Sequence, residues 1–452
     1  MQEASEVSRR HLPRSFYLLL TGQTVSLVGS QVTLLALPLI AIEQLAAGPF
    51  ETGVLLACGR APYLLLGLLT GVLVDRLPHR VLLMTANMAM AVTLATVPLA
   101  ALLTGQVAMP HLYAVATLVG AATVIADVAF LACVPTVVRS PQRVQAQSRL
   151  ELGQSAALVL GLPLAGWLIA TFSAPVAILA DAASFLLVTV LLPYVVMQPT
   201  RDRSGVREQR SGGIVRRVFS EAAEGALFVL RDRQLRAVTL ATGTLVFFHS
   251  AYSAVLLLYL TAELGLNATA IGIVTGIAAT GAAVGALLAR SVAQVLGLGH
   301  VLIAALLVSA IGAVLTPVLQ VSGWWVWPVI GLSQFLLWAG QQLYNVHQVP
   351  IRYALAPPEL HGRVNASIRT VVWGLAPVGA LLGGVCGSWL GARTTLLLSG
   401  ALIALATGWL MASPLRNIRT AQLEEASPEP TSPFPARRSP DGTPPTVSVS
   451  RG

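Results

Sequence analysis

The sequence predicts an all-α membrane protein, with twelve transmembrane helices in two pseudo-symmetric six-helix bundles. Three observations predict it. Apolar runs of ~20 residues recur along the chain, each long enough to cross ~30 Å of hydrocarbon as a helix. All but two of the basic residues lie in or next to the termini and alternate loops. Each half of the chain repeats short motifs of the other. Hydrophobic residues make up 55% of the 452 and charged residues 10%, which excludes a soluble globular domain of this length.

The spans fall at about 16–42, 52–74, 80–104, 110–138, 152–172, 174–197, 236–262, 269–296, 299–321, 324–348, 366–391 and 393–413. Each must be helical, because lipid offers no partner to an exposed backbone group. Glycine and proline inside them suit closely packed membrane helices. Around the spans the chain divides into an N-terminal segment 1–15, a first bundle 16–197, a linker 198–235, a second bundle 236–413 and a tail 414–452. In the linker, Ile214, Val218, Ala222 and Leu227 alternate with charges, so Ile214–Leu230 reads as an amphipathic helix lying along the membrane surface. The tail is rich in Pro, Ser and Arg, a composition that predicts disorder. The first 15 residues are polar and basic and the first apolar run is long, which argues against a cleaved signal peptide.

The formal net charge of +9 is carried by arginine alone, for the chain has no lysine. Of the 28 basic residues, all but Arg60 and Arg393 fall in the termini, in the alternate loops of one side or in the span ends next to those loops. That asymmetry obeys the positive-inside rule and predicts both termini in the cytoplasm of a bacterial inner-membrane protein. A nucleic-acid surface would need aromatics among the arginines, and the linker holds only Phe219 and Phe228. Cys58, Cys133 and Cys386 all sit inside spans and read as small packing residues, not as a disulfide framework or a metal site.

The repeat is seen in three places. Gly71-Val-Leu-Val-Asp75-Arg76 is echoed by Gly285-Ala-Leu-Leu-Ala289-Arg290. Arg143-Val-Gln-Ala-Gln-Ser-Arg149 is echoed by Arg363-Val-Asn-Ala-Ser-Ile-Arg369, and Pro163 by Pro377. A duplicated six-helix unit with a substrate path between the copies is a common transporter plan.

The segment Gly71–Arg80 lies between the second and third spans and resembles the corresponding loop of the major facilitator superfamily, G-x-L-x-D-R-x-G-R-[KR]. Gly71, Leu73, Asp75 and Arg76 match, Pro78 stands where the family has Gly, and His79 and Arg80 follow. Leu179-Ala-Asp181-Ala-Ala-Ser-Phe185 and Gly362-Arg363-Val-Asn365-Ala366, followed by Trp373-Gly374-Leu-Ala-Pro377, resemble the macrolide-efflux and enterobactin-exporter branch. The fifth span departs from the antiporter pattern G-P-x-x-G-G, keeping Pro163 and Gly166 in Leu162-Pro163-Leu-Ala-Gly166-Trp167. The resemblance implies the major facilitator fold. It implies proton-driven export of hydrophobic or amphipathic molecules such as drugs, antibiotics or siderophores. It also implies a latch in which Gly71, Asp75, Arg76 and Arg80 face Arg363 and Arg369 across the bundles.

Charges inside hydrocarbon are costly and mark candidate sites. Arg60 either binds an anionic group of a substrate or forms a structural ion pair. Asp127 either binds and releases a coupling proton or is a fixed partner of the Asp75–Arg76 cluster or Arg139. Asp181 is a second coupling candidate, with a structural role at the start of the sixth span as its alternative. Polar faces at helical spacing mark a candidate cavity: Gln23, Ser26 and Ser30 on the first span, His249, Tyr252 and Ser253 on the seventh, Trp338, Gln341 and Asn345 on the tenth. Interhelical hydrogen bonding is the other use of such groups.

The reading is a monomeric secondary transporter that needs no cofactor beyond the proton gradient. An importer or facilitator of a polar metabolite is the alternative within transport, and a non-transporting membrane sensor the alternative outside it. An enzyme would need clustered titratable groups at one depth, and the seven His are scattered. A phosphate-binding loop motif is absent, which argues against ATP-driven transport.

Overall fold

A computed structural model of the chain describes residues 12–196, 224–319, 323–357 and 360–417. The first half forms α1 (Arg14–Leu39), α2 (Pro49–Arg76), α3 (His79–Thr104), α4 (Met109–Val137), α5 (Arg143–Phe172) and α6 (Ala174–Leu191). The second forms α7 (Arg233–Leu258), α8 (Ala268–Leu296), α9 (Leu298–Val318), α10 (Val326–Leu355) and α11 (His361–Leu390), then a last rod broken at Ala404 into α12 (Ala392–Ile403) and α13 (Leu405–Met411). Ten of these rods are long and apolar enough to cross a membrane. α2 and α10 match them in length and complete the two bundles. Gln334, Gln341, Gln342, Asn345 and His347 make α10 the more polar member. No strand occurs among the described residues.

Helix packing repeats between halves. α1 packs on α5 and α6 as α7 packs on α11 and α12, and α4 packs on α2 and α3 as α10 packs on α8 and α9. α3 meets α6 as α9 meets α12. The backbone repeats as well. α1 and α7 each end in a π-turn, Ile40–Gln44 and Tyr259–Glu263, closed by the bonds Ala47 N–H to Ala41 O and Leu266 N–H to Leu260 O, both 2.9 Å. Each closure uses one left-handed residue, Ala46 (φ 51°) in the first half and Gly265 (φ 65°) in the second. The joint between α5 and α6 is Ser173 (φ 74°, ψ 156°), and the joint between α11 and α12 is Gly391 (φ 83°, ψ 158°). The duplication therefore extends to backbone geometry, with glycine in one copy and a strained L-residue in the other.

Local chemistry sets several helix ends. Asp232 caps α7, accepting from Gln234 N–H (2.9 Å) and Leu235 N–H (2.7 Å), and Asn267 caps α8 by accepting from Ala270 N–H at 2.9 Å. Gly105 ends α3 in the left-handed conformation.

Other ends differ from the hydropathy pattern. α5 begins at Arg143 and α11 at His361, earlier than the expected 152 and 366, because a helix continues past the lipid where its side chains can be solvated. Arg143, Gln145, Gln147 and Arg149 are exposed there. α6 stops at Leu191 and turns through Leu192–Tyr194 where Pro193 interrupts it, short of the expected 197. Of the expected linker helix, residues 224–231 are helical, and the rest lies outside the described residues. Val229 there joins Val364, Ile368 and Val372 of α11 in a small core.

Both bundles close at the face carrying this linker segment, here the linker face. Val196 N–H donates to Ser15 Oγ (3.0 Å) in the first bundle, and Arg233 Nη2 donates to Ala412 O (3.0 Å) in the second.

The left-handed joints carry a stability prediction. Relieving a Gly-only conformation should outweigh the extra freedom glycine has in the unfolded chain. Ser173→Gly is expected to stabilise the protein by ~1 kcal/mol, and Ala46→Gly by less, since a single αL residue is the milder strain. Thermal unfolding in detergent would check this; a lower midpoint for Ser173→Gly would refute it.

Candidate functional site

The bundles meet along a seam of α2 against α11 and α7, and α5 against α8. Its closest approaches are glycine on glycine. A Cβ on Gly53 would lie 2.8 Å from Gly384 Cα, and one on Gly166 would lie 2.9 Å from Gly272 Cα. A Cβ on Gly276 would meet Pro163 Cγ at 2.5 Å. Thr52 Oγ1 donates across the seam to Ala254 O at 3.0 Å. All these contacts lie in the halves of the helices far from the linker face. Nearer the middle, Arg60, Tyr63 and Leu64 of α2 reach Ser250 of α7 and Trp373 and Gly374 of α11.

Two polar groupings stand beside this seam. The first is a cavity of about 70 Å³ inside the first bundle, between α1, α3, α4 and α6. Gln23, Ser26, Ser30, Asn87, Thr123 and Asp127 are its polar lining. Asp127 Oδ2 accepts a hydrogen bond from Tyr63 Oη at 3.0 Å. The Tyr63 ring stacks on Trp373, with centroids 6.2 Å apart and planes 27° apart. A carboxylate of the first bundle is thus tied, through one side chain, to a helix of the second. Arg369, one turn before Trp373 on α11, stands within electrostatic range of both Asp127 and Tyr63.

The second grouping lies at the seam itself. Arg60 Nη1 donates to Ser250 Oγ at 2.7 Å. Among the described residues no carboxylate lies within 4 Å of its guanidinium. His249, next to Ser250, packs edge-on against Trp338 of α10 at 6.2 Å, and its Nδ1 has no hydrogen-bond partner. Ser253 donates to His249 O at 2.8 Å. Gln341 and Asn345 continue the face of α10 below Trp338, Gln341 half-buried and Asn345 exposed.

Other expected site residues are placed elsewhere. Tyr252 does not line the cavity: it is fully buried in the second bundle, where Gln334 Nε2 donates to its hydroxyl at 2.8 Å and also to Thr316 Oγ1 at 3.0 Å. Helical spacing put Tyr252 on the His249 face, but an adjacent position on a helix can turn inward. Asp181 is 1% exposed and accepts from Thr33, from Ser30 at 3.5 Å and from Ser184 at 3.2 Å. Ser30 is shared between that cage and the cavity wall.

Of the latch residues, Arg80 donates to Val195 O within the first bundle, and Arg363 pairs with Glu224 of the linker segment at 2.7 Å. The side chains of Asp75 and Arg76, and the surroundings of Gly71, lie outside the described residues.

Sequence reasoning missed Tyr63, Ser250 and Arg352. Tyr63 follows Arg60 by three, so a helical reading puts both on one face. Arg352 is buried, with Nη2 donating to Thr242 Oγ1 at 3.0 Å and Thr242 also bonded to Tyr344 Oη at 2.8 Å.

The Major Facilitator Superfamily profile matches the chain twice, over residues 19–256 and 238–445. The chain belongs to this superfamily of transporters. Solved structures share its fold. The nucleoside transporter NupG superposes with TM-score 0.69 at 12% identity, covering 90% of this chain and 100% of its own. A bacterial homologue of the iron transporter ferroportin, in an inward-facing state, gives TM-score 0.70 at 17% identity, covering 90% and 100%. A bacterial homologue of the lysosomal transporter Spinster, inward-facing and unoccupied, gives TM-score 0.64 at 13% identity, covering 88% and 96%. At these identities the likeness concerns the fold. No curated protein sequence matches the chain. The protein is a multi-pass membrane transporter and not an enzyme.

The glycine contacts hold the far half of the seam together, so enlarging them should open it. Gly53→Val places two methyl groups where Gly384 Cα already is. In a background with Cys58, Cys133 and Cys386 replaced, a cysteine at Ser253 should react with a membrane-impermeant maleimide added at the far face several-fold faster when Gly53→Val is present. Equal rates would show that the seam does not govern access.

Proposed function

We propose that the protein is a proton-coupled exporter of hydrophobic or amphipathic small molecules. It works by alternating access in a bacterial inner membrane, with the linker face and both termini in the cytoplasm. The one-sided arginines support that orientation. In this reading the cargo loads from the cytoplasmic half of the seam. The segments around Asp181 and Arg363, which resemble the macrolide-efflux and enterobactin-exporter branch, favour export.

The observation that carries coupling is the chain Asp127–Tyr63–Trp373. An ionised Asp127 accepts a charge-assisted hydrogen bond from Tyr63, and protonation weakens it. Tyr63 stacks on Trp373, so its position differs between the two protonation states and biases how α2 lies against α11. That is a two-state element which a proton can shift. Among the sequence candidates, Asp127 is therefore the coupling residue in this reading, and Asp181 holds α6 to α1. The Asp75–Arg76 loop would act as the latch at the cytoplasmic side.

The test is efflux of a panel of fluorescent amphipathic dyes from cells lacking their own drug pumps, with and without a protonophore. Protonophore-sensitive efflux by the wild type is expected. Asp127→Asn should remove it at unchanged expression, and Tyr63→Phe should slow it about tenfold, the loss of ~1.4 kcal/mol from a charge-assisted bond. Efflux that persists in Asp127→Asn with the same protonophore sensitivity would end the coupling role.

A further inference from the structure

Among the described residues the charges at mid-seam do not balance. Among the described residues, the ionised groups there are Arg60, Arg369 and Asp127. Arg369 and Asp127 stand within electrostatic range of each other and offset one another. Among the described residues Arg60 has a serine hydroxyl as its partner and no carboxylate, and its neighbour His249 contributes no negative charge. An arginine held at membrane depth without a counter-ion is expensive, and such groups belong where a ligand or water can reach them.

Arg60 is positioned for that. It is half-buried on α2 and reaches across the seam to α7. Arg352 is the contrast: it too lacks a carboxylate within 4 Å among the described residues, but it is enclosed within the second bundle by Thr242 and Tyr344. Around Arg60 the side chains are of two kinds. The polar ones are Ser250, which Arg60 bonds, and its neighbour His249, whose Nδ1 is unpartnered; the flat apolar ones are Tyr63, one turn along α2, with Trp373 stacked on it, and Trp338 packed on His249.

We propose that the transported molecule is an amphipathic organic monoanion, whose single anionic head is held by the Arg60 guanidinium beside Ser250 and whose apolar body lies against the aromatic side chains of the seam. One unbalanced positive charge matches one negative charge. A planar guanidinium suits a carboxylate or sulfonate head. This inference rests on the transporter reading above and adds the charge class of its cargo.

The experiment uses three probes with one body: 11-(dansylamino)undecanoic acid, its methyl ester, and the amine analogue. Their binding to the full chain in nanodiscs of neutral lipid is followed by dansyl fluorescence. The acid is expected to bind the wild type at least tenfold more tightly than the ester, and the ester no less tightly than the amine. In Arg60→Gln the preference for acid over ester should shrink to less than twofold, while Arg60→Lys should keep part of it. The ratio reads charge recognition, which a merely structural arginine would not control, and ester binding by each variant reports that the apolar path is intact.

Equal binding of acid and ester by the wild type, absence of acid binding, a preference for the amine, or an acid preference that survives Arg60→Gln would each overturn the proposal. Proton-driven efflux of neutral or cationic dyes without acid preference would sink this inference and leave the exporter reading standing. Arg60-dependent acid binding without proton-driven efflux would do the reverse.

Discussion

Hydrocarbon satisfies no hydrogen bond, and every other feature of this structure follows from that constraint. Among the described residues, breaks in the α-helices lie at the two faces, at the π-turns, the left-handed joints and the short 3₁₀ turns, apart from the single-residue break at Ala404 in the last rod. Most hydroxyls inside the helices bond a carbonyl one turn back on their own helix, as Thr117, Thr171 and Thr275 do. Such bonds cost nothing in fold design and say nothing about function. The informative polar groups are the few that reach another helix. The largest of these are the cage around Asp181, the Tyr252–Gln334–Thr316 and Arg352–Thr242–Tyr344 networks of the second bundle, and the pair of groupings at the seam.

With hydrophobic attraction between helices removed by the lipid, close packing has to hold the bundles together, and small residues let it. This is why glycine marks the closest crossings, both within bundles and between them. Gly281 lies against Phe335 and Gly285 against Ala339 inside the second bundle, while Gly53, Gly384, Gly166 and Gly272 bring the two bundles into backbone contact. A seam of this kind is held by close backbone packing with few hydrogen bonds across it. That property is what alternating access demands of it. The same packing inside a bundle is backed by interhelical hydrogen bonds and keeps each bundle whole.

Much of this was legible beforehand. Hydropathy located the twelve rods, and the short repeats anticipated a duplication that the joints at Ala46 and Gly265, and at Ser173 and Gly391, now extend to φ and ψ. Helix ends were less legible because hydropathy reports the lipid thickness and not the helix length; α5 and α11 both run on past it. The site was legible as a set of polar residues but not as partnerships. Asp127 was evident as an acid in an apolar span. Tyr63 was not, because a lone tyrosine in such a span reads as packing, and its partners are 64 residues away on α4 and far along the chain on α11. Ser250 was hidden between His249 and the polar face next to it. No periodicity of a single helix predicts a contact that two bundles make.

The duplication governs backbone and not chemistry. The acids at depth, Asp127 and Asp181, belong to the first bundle, and no carboxylate occupies a comparable depth among the described residues of the second. These two acids differ in how fully their surroundings answer them. Asp181 receives three hydroxyl donors and is closed off, so its charge is satisfied in every state of the bundle that keeps α1 against α6. Asp127 receives one donor, faces a cavity, and shares that donor with a contact to the other bundle. The arginines divide in the same way, Arg352 enclosed by its own bundle and Arg60 answered only by a hydroxyl across the seam. A charge that its own bundle satisfies is indifferent to how the bundles rock. A charge completed by the opposite bundle, or left open to a ligand, changes its free energy with every half-cycle, and only such a charge can couple binding or protonation to motion. By that criterion the functional pair is Asp127 of α4 and Arg60 of α2, the first bonded to Tyr63 and the second one turn before Tyr63 on α2.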